Sequence, residues 1–316
     1  RPHVGGALVW GVSRGVFGGF LHMAQYLARS NAADLIPADA LARIPGFAAA
    51  GPSARVERLH GGTVNASFRV DTGAGQFVVR IHDPVAATLG ADHEREARLH
   101  AAAAAAGLAP TLIYVDASHS FMIMEYEPGP LWTAQDMGRP DRLSQLGAAL
   151  HTLHSVAPPH VAPYEMPLVL GRLYDQLRAA LPEESSWLAQ LMDRATTALA
   201  SCGTTERPQA LIHNDLHHSN LVGIKHLYLL DWEYAAVTDP LFDLACLLAY
   251  YPNAAPHANL LLNTSGLSNA ASPEMLHHAT WTYVLLSYFW YRSRRLSAPA
   301  TPAEQAAEQS LLARLR

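Results

Sequence analysis

Three polar residues past the middle of the chain have the types and the spacing that phosphoryl transfer requires. Asp215 precedes Asn220 by five positions in HNDLHHSN, and Asp231 follows eleven positions later, directly after the apolar run LYLL. The reaction needs one carboxylate to orient an acceptor hydroxyl and take its proton, and oxygen ligands to hold Mg²⁺ over the nucleotide phosphates. Carboxylate and amide oxygens are ligands that Mg²⁺ accepts. We therefore predict Asp215 as the base and Asn220 and Asp231 as metal ligands.

Two other interpretations of this segment leave part of it unexplained. Single Asp and Asn residues often cap a helix or a turn, but that does not account for the whole pattern. A zinc hydrolase would draw its ligands from His213, Asp215, His217 and His218. That site gives no role to Asn220 or Asp231. We expect His213 to orient the loop, and the two later histidines to line a cleft or face water.

The elements around this segment predict a chain in two parts. Between residues 34 and 126, alternating apolar residues and glycine turns predict about five strands, and the charged, Ala-rich run DHEREARLHAAAAAAGLAP predicts one long helix. From 127 to 316 the apolar residues recur mostly at helical spacing, interrupted by a strand hairpin around Asp215 and Asp231. We expect an α+β fold in which a small β-rich N-lobe and a larger helical C-lobe enclose a cleft.

These motifs resemble a known family. HNDLHHSNL, followed by LLDWEYA and DPLFDLA, is similar to the aminoglycoside phosphotransferase and choline kinase superfamily, and Trp-Glu-Tyr after Asp231 resembles its choline, ethanolamine and thiamine kinase branch. The resemblance covers about residues 50–295. It implies a bilobal protein-kinase-like fold and an ATP-dependent hydroxyl kinase that uses Mg²⁺. It also implies the roles given above to Asp215, Asn220 and Asp231.

The resemblance implies a nucleotide site in the N-lobe. Gly61, Gly62 and Asn65 belong to the segment LHGGTVNASFRV, where small residues let backbone amides approach phosphate oxygens. Without the resemblance, a Gly-Gly pair is an ordinary hairpin turn. The strand FMIMEYE ends where a hinge between the lobes is expected. Adenine would then bind the backbone near Glu125 and Tyr126.

A charged pair is expected beside the phosphates. Arg80 stands in FVVRIH where kinases usually have Lys, and choline kinase-like sequences are similar in having Arg. Glu96 matches the helix glutamate of the family, with Glu94 as the alternative. A guanidinium can bridge phosphates and bind a carboxylate with two hydrogen bonds. If the resemblance fails here, both residues are ordinary surface charges.

The acceptor is predicted to be a small cation. Eleven residues separate Asp231 from Asp243, which is too few for the activation segment of a protein kinase. After Tyr251 the chain has three acids and no Asp, whereas an aminoglycoside site needs many carboxylates. The same region is aromatic, and a desolvated contact between an aromatic face and a quaternary ammonium contributes about 2 kcal/mol.

We therefore predict a compact cationic alcohol as the substrate: choline, ethanolamine or thiamine. The predicted acceptor residues are Glu233, Tyr234, Trp281, Tyr288 and Trp290. Glu233 would offset the substrate cation, and Tyr234 matches a tyrosine of the family's choline site. An aromatic stripe on one helix face also suits a core, so only one or two of the helical aromatics are expected to touch substrate. An aminoglycoside kinase and a nucleotide-binding pseudokinase that acts as an interaction module remain as alternatives.

Composition sets the remaining limits. The 316 residues carry a formal net charge of -5, which gives no indication of a nucleic-acid or membrane partner. Two widely spaced cysteines predict a reducing compartment, the cytoplasm. Residues 1–33 are expected to be an N-terminal extension, disordered or not native to the protein, whose apolar run is too short and interrupted to span a bilayer. Monomer and homodimer both stay open.

Overall fold

The computed structural model describes residues 32–59, 65–83, 92–203, 207–297 and 299–316. A strand-rich N-terminal lobe and a helical C-terminal lobe face each other across a cleft, which confirms the predicted two-lobed α+β fold. Gly61 and Gly62 lie outside the described residues, as does the apolar run near the start of the chain. Within the described residues, no helix is long and apolar enough to cross a membrane.

An antiparallel sheet forms the N-lobe. Its five strands within the described residues are β1 (Arg55–Leu59), β2 (Ala66–Thr72), β3 (Gly75–Ile81), β4 (Leu112–Val115) and β5 (Phe121–Glu125), in the order β1-β2-β3-β5-β4. Side chains alternate between the two faces of a strand. Phe77 and Val79 of β3 are buried against the short helix α1 (Ala38–Arg43), with Ala40 at the contact. Arg80 therefore points to the opposite face, towards the cleft.

The long helix of the N-terminal half packs on the other lobe. A short helix, α2 (Phe47–Ala50), precedes the sheet, and the long helix α3 (His93–Ala105) comes after β3. The Asp92 carboxylate caps α3 by accepting the Arg95 backbone N–H at 2.9 Å. Leu99 and Ala103, both fully buried, belong to the hydrophobic core of the C-lobe. The helix is therefore anchored in the core of the C-lobe, although it lies between two strands of the N-lobe in sequence.

Seven helices make up most of the described C-lobe. They are α4 (Pro140–His154), α5 (Met166–Ala180), α6 (Ser185–Ser201), α7 (Leu241–Tyr250), α8 (Ala258–Thr264), α9 (Pro273–Ser297) and α10 (Pro302–Leu315). Two short antiparallel ribbons interrupt them: β6 (Ala210–Ile212) with β9 (Ala236–Thr238), and β7 (Leu221–Val222) with β8 (Tyr228–Leu229). Residues 213–220 and 230–235 connect the ribbons. A 2.8 Å hydrogen bond from the Leu230 N–H to the Asn220 carbonyl holds these two loops together.

A buried carboxylate fixes the first of these loops. Asp243, in the first turn of the apolar helix α7, has no exposed surface. Its oxygens accept the backbone N–H groups of His213 at 3.2 Å and Asn214 at 2.8 Å, and His154 Nε2 lies 2.9 Å away. Buried N–H groups need partners. The loop that carries Asp215 therefore depends on one side chain from α7.

Replacing Asp243 with Ala should lower the free energy of unfolding by about 3–5 kcal/mol, because two buried N–H groups and His154 lose their acceptor. Asp243→Asn, which keeps one oxygen, should cost less. The matched control is Asp141→Ala, whose side chain is 64% exposed and pairs with Arg139 on the surface. That change should cost far less than Asp243→Ala, because solvent screens an exposed ion pair. Urea unfolding followed by circular dichroism measures all three, and equal losses at the two sites would refute the anchoring role.

Candidate active site

The cleft between the lobes holds a cavity of about 780 Å³ that is lined by both of them. From the N-lobe and the hinge come Asn65, Arg80, Arg95, Met124, Glu125 and Tyr126. From the C-lobe come Asp215, Asn220, Asp231, Glu233, Tyr234 and Tyr250. The three residues predicted to carry phosphoryl transfer thus line one cavity with four of the predicted nucleotide residues, Asn65, Arg80, Glu125 and Tyr126. Glu96 is not part of this lining and contacts Arg80 from behind it.

A guanidinium at the centre of the cleft joins the two lobes. Arg80 Nη1 lies 2.7 Å from Asp231 Oδ1 and 3.4 Å from Glu96 Oε1, and Nη2 lies 2.8 Å from Glu233 Oε2. Burial opposes the charged form of Arg80, but the three carboxylates outweigh it, so the pKa of the guanidinium lies above its ordinary value. Two of these carboxylates come from the C-lobe loop 230–235, which the sequence did not predict as partners of Arg80.

Glu96, rather than the alternative Glu94, is the helix carboxylate that reaches Arg80. Glu94 is exposed and pairs with Arg98 one turn along the helix. Glu96 is 2% exposed, and its Oε2 lies 3.3 Å from His93 Nδ1. Burial raises the pKa of Glu96, but the His93 hydrogen bond and the Arg80 charge lower it by more. The pKa therefore lies below its ordinary value and the group stays ionised.

His82, His93 and Glu96 place one ligand atom each within 4.8 Å of one another, which raises the question of a metal. The two imidazole rings are stacked 3.8 Å apart and only 9° from parallel. A nitrogen lone pair lies in the plane of its ring, so the lone pairs of two parallel rings do not meet at one ion. The two histidines instead lie beside Glu96 Oε2 and help to hold that carboxylate next to Arg80.

The Asp215 carboxylate is held on both oxygens. The Tyr250 hydroxyl donates to Oδ1 at 3.1 Å, and the Asn220 amide donates to Oδ2 at 2.8 Å. Burial raises the pKa of Asp215, and the negative charge of Asp231 raises it further, against the opposing influence of His213 and the two donors. Tyr250, at the end of α7, is a site residue that the sequence did not suggest. Its position is typical of a core aromatic in an apolar helix.

Asn220 and Asp231 fit the role of magnesium ligands by their donor atoms. The Asn220 amide nitrogen is engaged with the Asp215 carboxylate and carbonyl, which leaves its oxygen for another partner. Arg80 bonds to Oδ1 of Asp231, and within the described residues Oδ2 makes no hydrogen bond. An amide oxygen and a carboxylate oxygen, supplied from two loops, are ligands that Mg²⁺ takes.

Two residues around the site adopt left-handed backbone conformations. Asn214 has φ = 62° and Asp231 has φ = 64°. Asn and Asp enter this region more readily than other non-glycine residues. The Asn214 side chain also donates to the Tyr234 carbonyl at 3.1 Å. These turns direct Asp215 and Asp231 into the cleft instead of continuing the adjacent strands.

Glu233 lies between the two lobes. The Asn65 amide donates to its Oε2 at 3.0 Å, beside the bond from Arg80. Burial, together with the negative charge of Asp231, raises the pKa of Glu233 to about 7 despite Arg80. Glu233 was predicted to offset a substrate cation. In this structure its Oε2 accepts hydrogen bonds from Arg80 and Asn65, so its carboxylate is already paired with N-lobe residues.

The acceptor end of the cavity is walled by aromatic and apolar side chains. Tyr234 is 42% exposed and Trp290 is 37% exposed, and both line the cavity as predicted. Their neighbours in this wall are Tyr164, Val169, Leu173, Tyr283, Leu286 and Tyr291. The sequence did not suggest the contribution of α5, because Val169 and Leu173 read as ordinary core positions of an amphipathic helix.

Two predicted acceptor residues lie elsewhere. Trp281 packs under the Arg194 guanidinium, 4.6 Å from the ring centre, and lines a separate groove against α6. Tyr288 is 3% exposed and interacts with Trp187 and Arg292. Neither residue belongs to the described cavity lining, because the cavity-facing stripe of α9 runs through 283, 286, 287, 290 and 291, whereas 281 and 288 face other helices.

The hinge presents a different amide from those expected. The backbone N–H of Glu125 donates to the Thr111 carbonyl at 2.9 Å, and that of Tyr126 donates to Gln76 at 3.0 Å. Both residues line the cavity, but their N–H groups are used by the N-lobe sheet. Glu127 also lines the cavity, and within the described residues its N–H has no backbone partner. A bound adenine would therefore find its donor at Glu127.

The histidines of the loop do not form a metal group within the described residues. His213 Nε2 lies 2.8 Å from the Leu230 carbonyl, and its ring packs edge-on against the buried Trp232. His218 is bonded through its backbone N–H to the Tyr251 hydroxyl, 2.9 Å away. These contacts orient the loop, as expected of His213, and the zinc interpretation has no support in the described part of the chain.

Solved structures with the same fold are numerous. A choline/ethanolamine kinase family protein from Mesorhizobium loti is 23% identical, with a TM-score of 0.71 over 88% of this chain and 91% of that one. The choline kinase LicA from Streptococcus pneumoniae is 16% identical, with a TM-score of 0.68 over 83% and 92%. The ADP-bound aminoglycoside phosphotransferase APH(2'')-Ib is 18% identical, with a TM-score of 0.59 over 83% and 92%.

The sequence comparison agrees with the fold. No curated protein matches the sequence. The family model described as "Phosphotransferase enzyme family" matches residues 55–276, which include both lobes and every residue of the site from Arg80 to Tyr250. The chain therefore belongs to the phosphotransferase enzyme family.

Proposed function

We propose that the protein is an ATP- and Mg²⁺-dependent kinase that phosphorylates the hydroxyl of a compact cationic alcohol, with choline first and ethanolamine and thiamine next. The observation that carries the proposal is the Asp215 carboxylate, fixed by Tyr250 and Asn220 in the same cavity as the Arg80–Asp231 pair. Such a cavity brings a hydroxyl-orienting base beside a site for a metal-bound phosphate chain.

The residues of the cleft divide the work of the transfer. Asp215 orients the acceptor hydroxyl and takes its proton, and its hydrogen bonds fix the position of the accepting carboxylate. Asn220 and Asp231 hold Mg²⁺, which supplies charge neutralisation at the phosphates when bound. Arg80, kept charged by three carboxylates, is the cation next to that metal site. Glu127, Glu125 and Tyr126 position the adenine at the hinge.

The acceptor end favours a single small cation. Within the described cavity lining, the carboxylates near this end are Asp215 and Glu233, and the wall around them is mostly aromatic or aliphatic, with one guanidinium, Arg95, near Tyr164. A polyamine such as an aminoglycoside would leave several ammonium groups without counter-charges, and desolvating an unpaired charge is costly. A quaternary ammonium needs no hydrogen-bond acceptor and gains from the ring faces of Tyr234 and Trp290.

An acceptor panel tests the substrate class. ADP release should rise well above the acceptor-free rate with choline, ethanolamine or thiamine. It should stay at that rate with kanamycin, because the described acceptor end offers a polyamine only the carboxylates of Asp215 and Glu233. A coupled spectrophotometric assay measures it. Turnover with kanamycin alone would refute the cationic-alcohol proposal while leaving kinase activity in place.

Asp215→Asn should lower kcat on the order of 10²–10⁴-fold, because the amide cannot accept the hydroxyl proton. The Kd for MgADP should change less than about twofold, since Asp215 lies on the acceptor side of the metal ligands. Isothermal calorimetry and the coupled assay measure the two quantities. Asp193→Asn, on the far side of helix α6, is the control for general effects. A fully active Asp215→Asn protein would remove Asp215 as the base.

Trp290→Ala should raise the KM for choline about tenfold, because one cation–π contact is worth about 1–2 kcal/mol. The KM for ATP should stay within about twofold. Trp281→Ala is the matched control, since it removes the same side chain from the same helix outside the cavity. Steady-state kinetics with each substrate varied separates the cases. Equal effects of the two variants on the choline KM would place Trp290 in the packing rather than in the acceptor site.

A further inference from the structure

An arginine of helix α3 faces the active-site cavity without a described counter-charge. Arg95 lies one turn before Leu99, which anchors the helix in the C-lobe core, and its side chain lines the same cavity as Asp215 and Asp231. Its backbone N–H is fixed by the Asp92 cap. The residue is therefore presented to the cleft from a rigid helix that is attached to the catalytic lobe.

Arg80 and Arg98 have carboxylate partners, whereas the Arg95 side chain has none among the residues that the structure describes. Arg80 is surrounded by three carboxylates, and Arg98 pairs with Glu94 on the exposed face. Within the described residues, the Arg95 side chain makes no hydrogen bond or ion pair, and its Nε is buried without a partner. A buried guanidinium nitrogen without an acceptor is costly, so such a group marks a place where an anion is expected.

Arg95 lies near Tyr164 of the aromatic wall and near the loop that carries Asp215. Its positive charge acts on the Tyr164 phenol, whose hydroxyl interacts with Asn214, the residue before the predicted base. Burial raises the pKa of Tyr164 to about 12, and Arg95 opposes that rise. Arg80, by contrast, stands at the metal and Glu96 side. The two guanidiniums thus reach the cavity from different elements, Arg95 from α3 and Arg80 from β3.

The charge balance of the cavity calls for such a cation. Its described lining contains five carboxylates, from Glu125, Glu127, Asp215, Asp231 and Glu233, and two guanidiniums, of which Arg80 is already neutralised. A nucleotide adds further negative charge, and in ATP the terminal phosphate carries more of it than either of the other two. In phosphoryl transfer that charge spreads over the three equatorial oxygens of the moving group.

We infer that Arg95 binds the oxygens of the terminal phosphoryl group and follows that group as it passes from nucleotide to acceptor. In this step a bond forms between the acceptor oxygen and the γ-phosphorus, and the bond from that phosphorus to the ADP oxygen breaks. The hydroxyl proton goes to Asp215, and ADP leaves with the bonding electron pair. Arg95 forms no covalent bond; its guanidinium offers N–H donors to the moving oxygens. The inference rests on the proposed kinase function.

The test compares nucleotides that differ by one phosphate. Arg95→Gln should weaken binding of the Mg²⁺ complex of a non-hydrolysable ATP analogue about tenfold or more, and should change the Kd for MgADP less than twofold. Arg95→Lys keeps the charge and should recover part of the loss. The control is Arg98→Gln, three residues further along α3, where the side chain is 56% exposed. This change should alter neither Kd. Isothermal calorimetry gives the four sets of constants.

Steady-state turnover of the wild-type protein and of Arg95→Gln with the same acceptor adds a second measurement. Arg95→Gln should lower kcat on the order of 10–100-fold with little change in the acceptor KM, because the contact is strongest while the phosphoryl group carries its spread charge. A rise confined to the acceptor KM would mean that Arg95 holds an anionic group of the acceptor, and would overturn the inference. Equal weakening of both nucleotides, or no change in either, would also overturn it.

The same data separate this inference from the proposed function. If the wild-type protein binds neither nucleotide, the kinase proposal fails and the role of Arg95 fails with it. If the wild type binds both nucleotides and Arg95→Gln does not distinguish them, only the role of Arg95 fails. Thermal melts of each variant show that it is folded, and Arg95→Lys carries the comparison if Arg95→Gln is not.

Discussion

The ion cluster around Arg80 is the interaction on which the arrangement of the two lobes depends. One guanidinium from β3 contacts a carboxylate of helix α3 and two carboxylates of the C-lobe loop 230–235. Breaking such a buried cluster by removing one partner costs several kcal/mol, because the remaining charges are left without compensation. Asp231, the proposed metal ligand, is therefore bonded to the N-lobe, which gives the cleft a defined width at this point.

The second constraint is that the helix carrying Glu96 belongs to the C-lobe core. Leu99 and Ala103 bury the inner face of α3 against that core, so the helix does not travel freely with the N-lobe sheet. Asp243 fixes the catalytic loop from the same lobe. Glu96, Arg95 and Asp215 are thus anchored to the C-lobe core, and Glu96 links that core to the N-lobe through Arg80.

Much of this could be predicted from the sequence, for identifiable reasons. The glycine-punctuated alternation of 55–81 and the helical periodicity after 140 follow from local rules, and the Asp215–Asn220–Asp231 spacing lies in one hairpin. What failed depended on tertiary context. Periodicity shows that α9 is aromatic but not how the helix is rotated, so Trp281 and Tyr288 were assigned to the wrong face. Tyr250 and the free Glu127 amide become visible only when the loops are placed.

One end of the cavity is lined by charged side chains and the other mainly by apolar and aromatic ones, and this difference affects which acceptor can bind. At the metal end, carboxylates and Arg80 neutralise one another, so an incoming Mg²⁺ and phosphate chain exchange partners within an existing ionic network. At the acceptor end, Tyr234, Trp290 and Leu286 offer little but apolar surface and ring faces. A substrate that binds there gains free energy by burying its apolar groups. It loses the hydration of its polar groups, which these side chains do not replace with hydrogen bonds. A weakly hydrated cation with one hydroxyl loses least, which is the physical reason to rank choline above a polyamine.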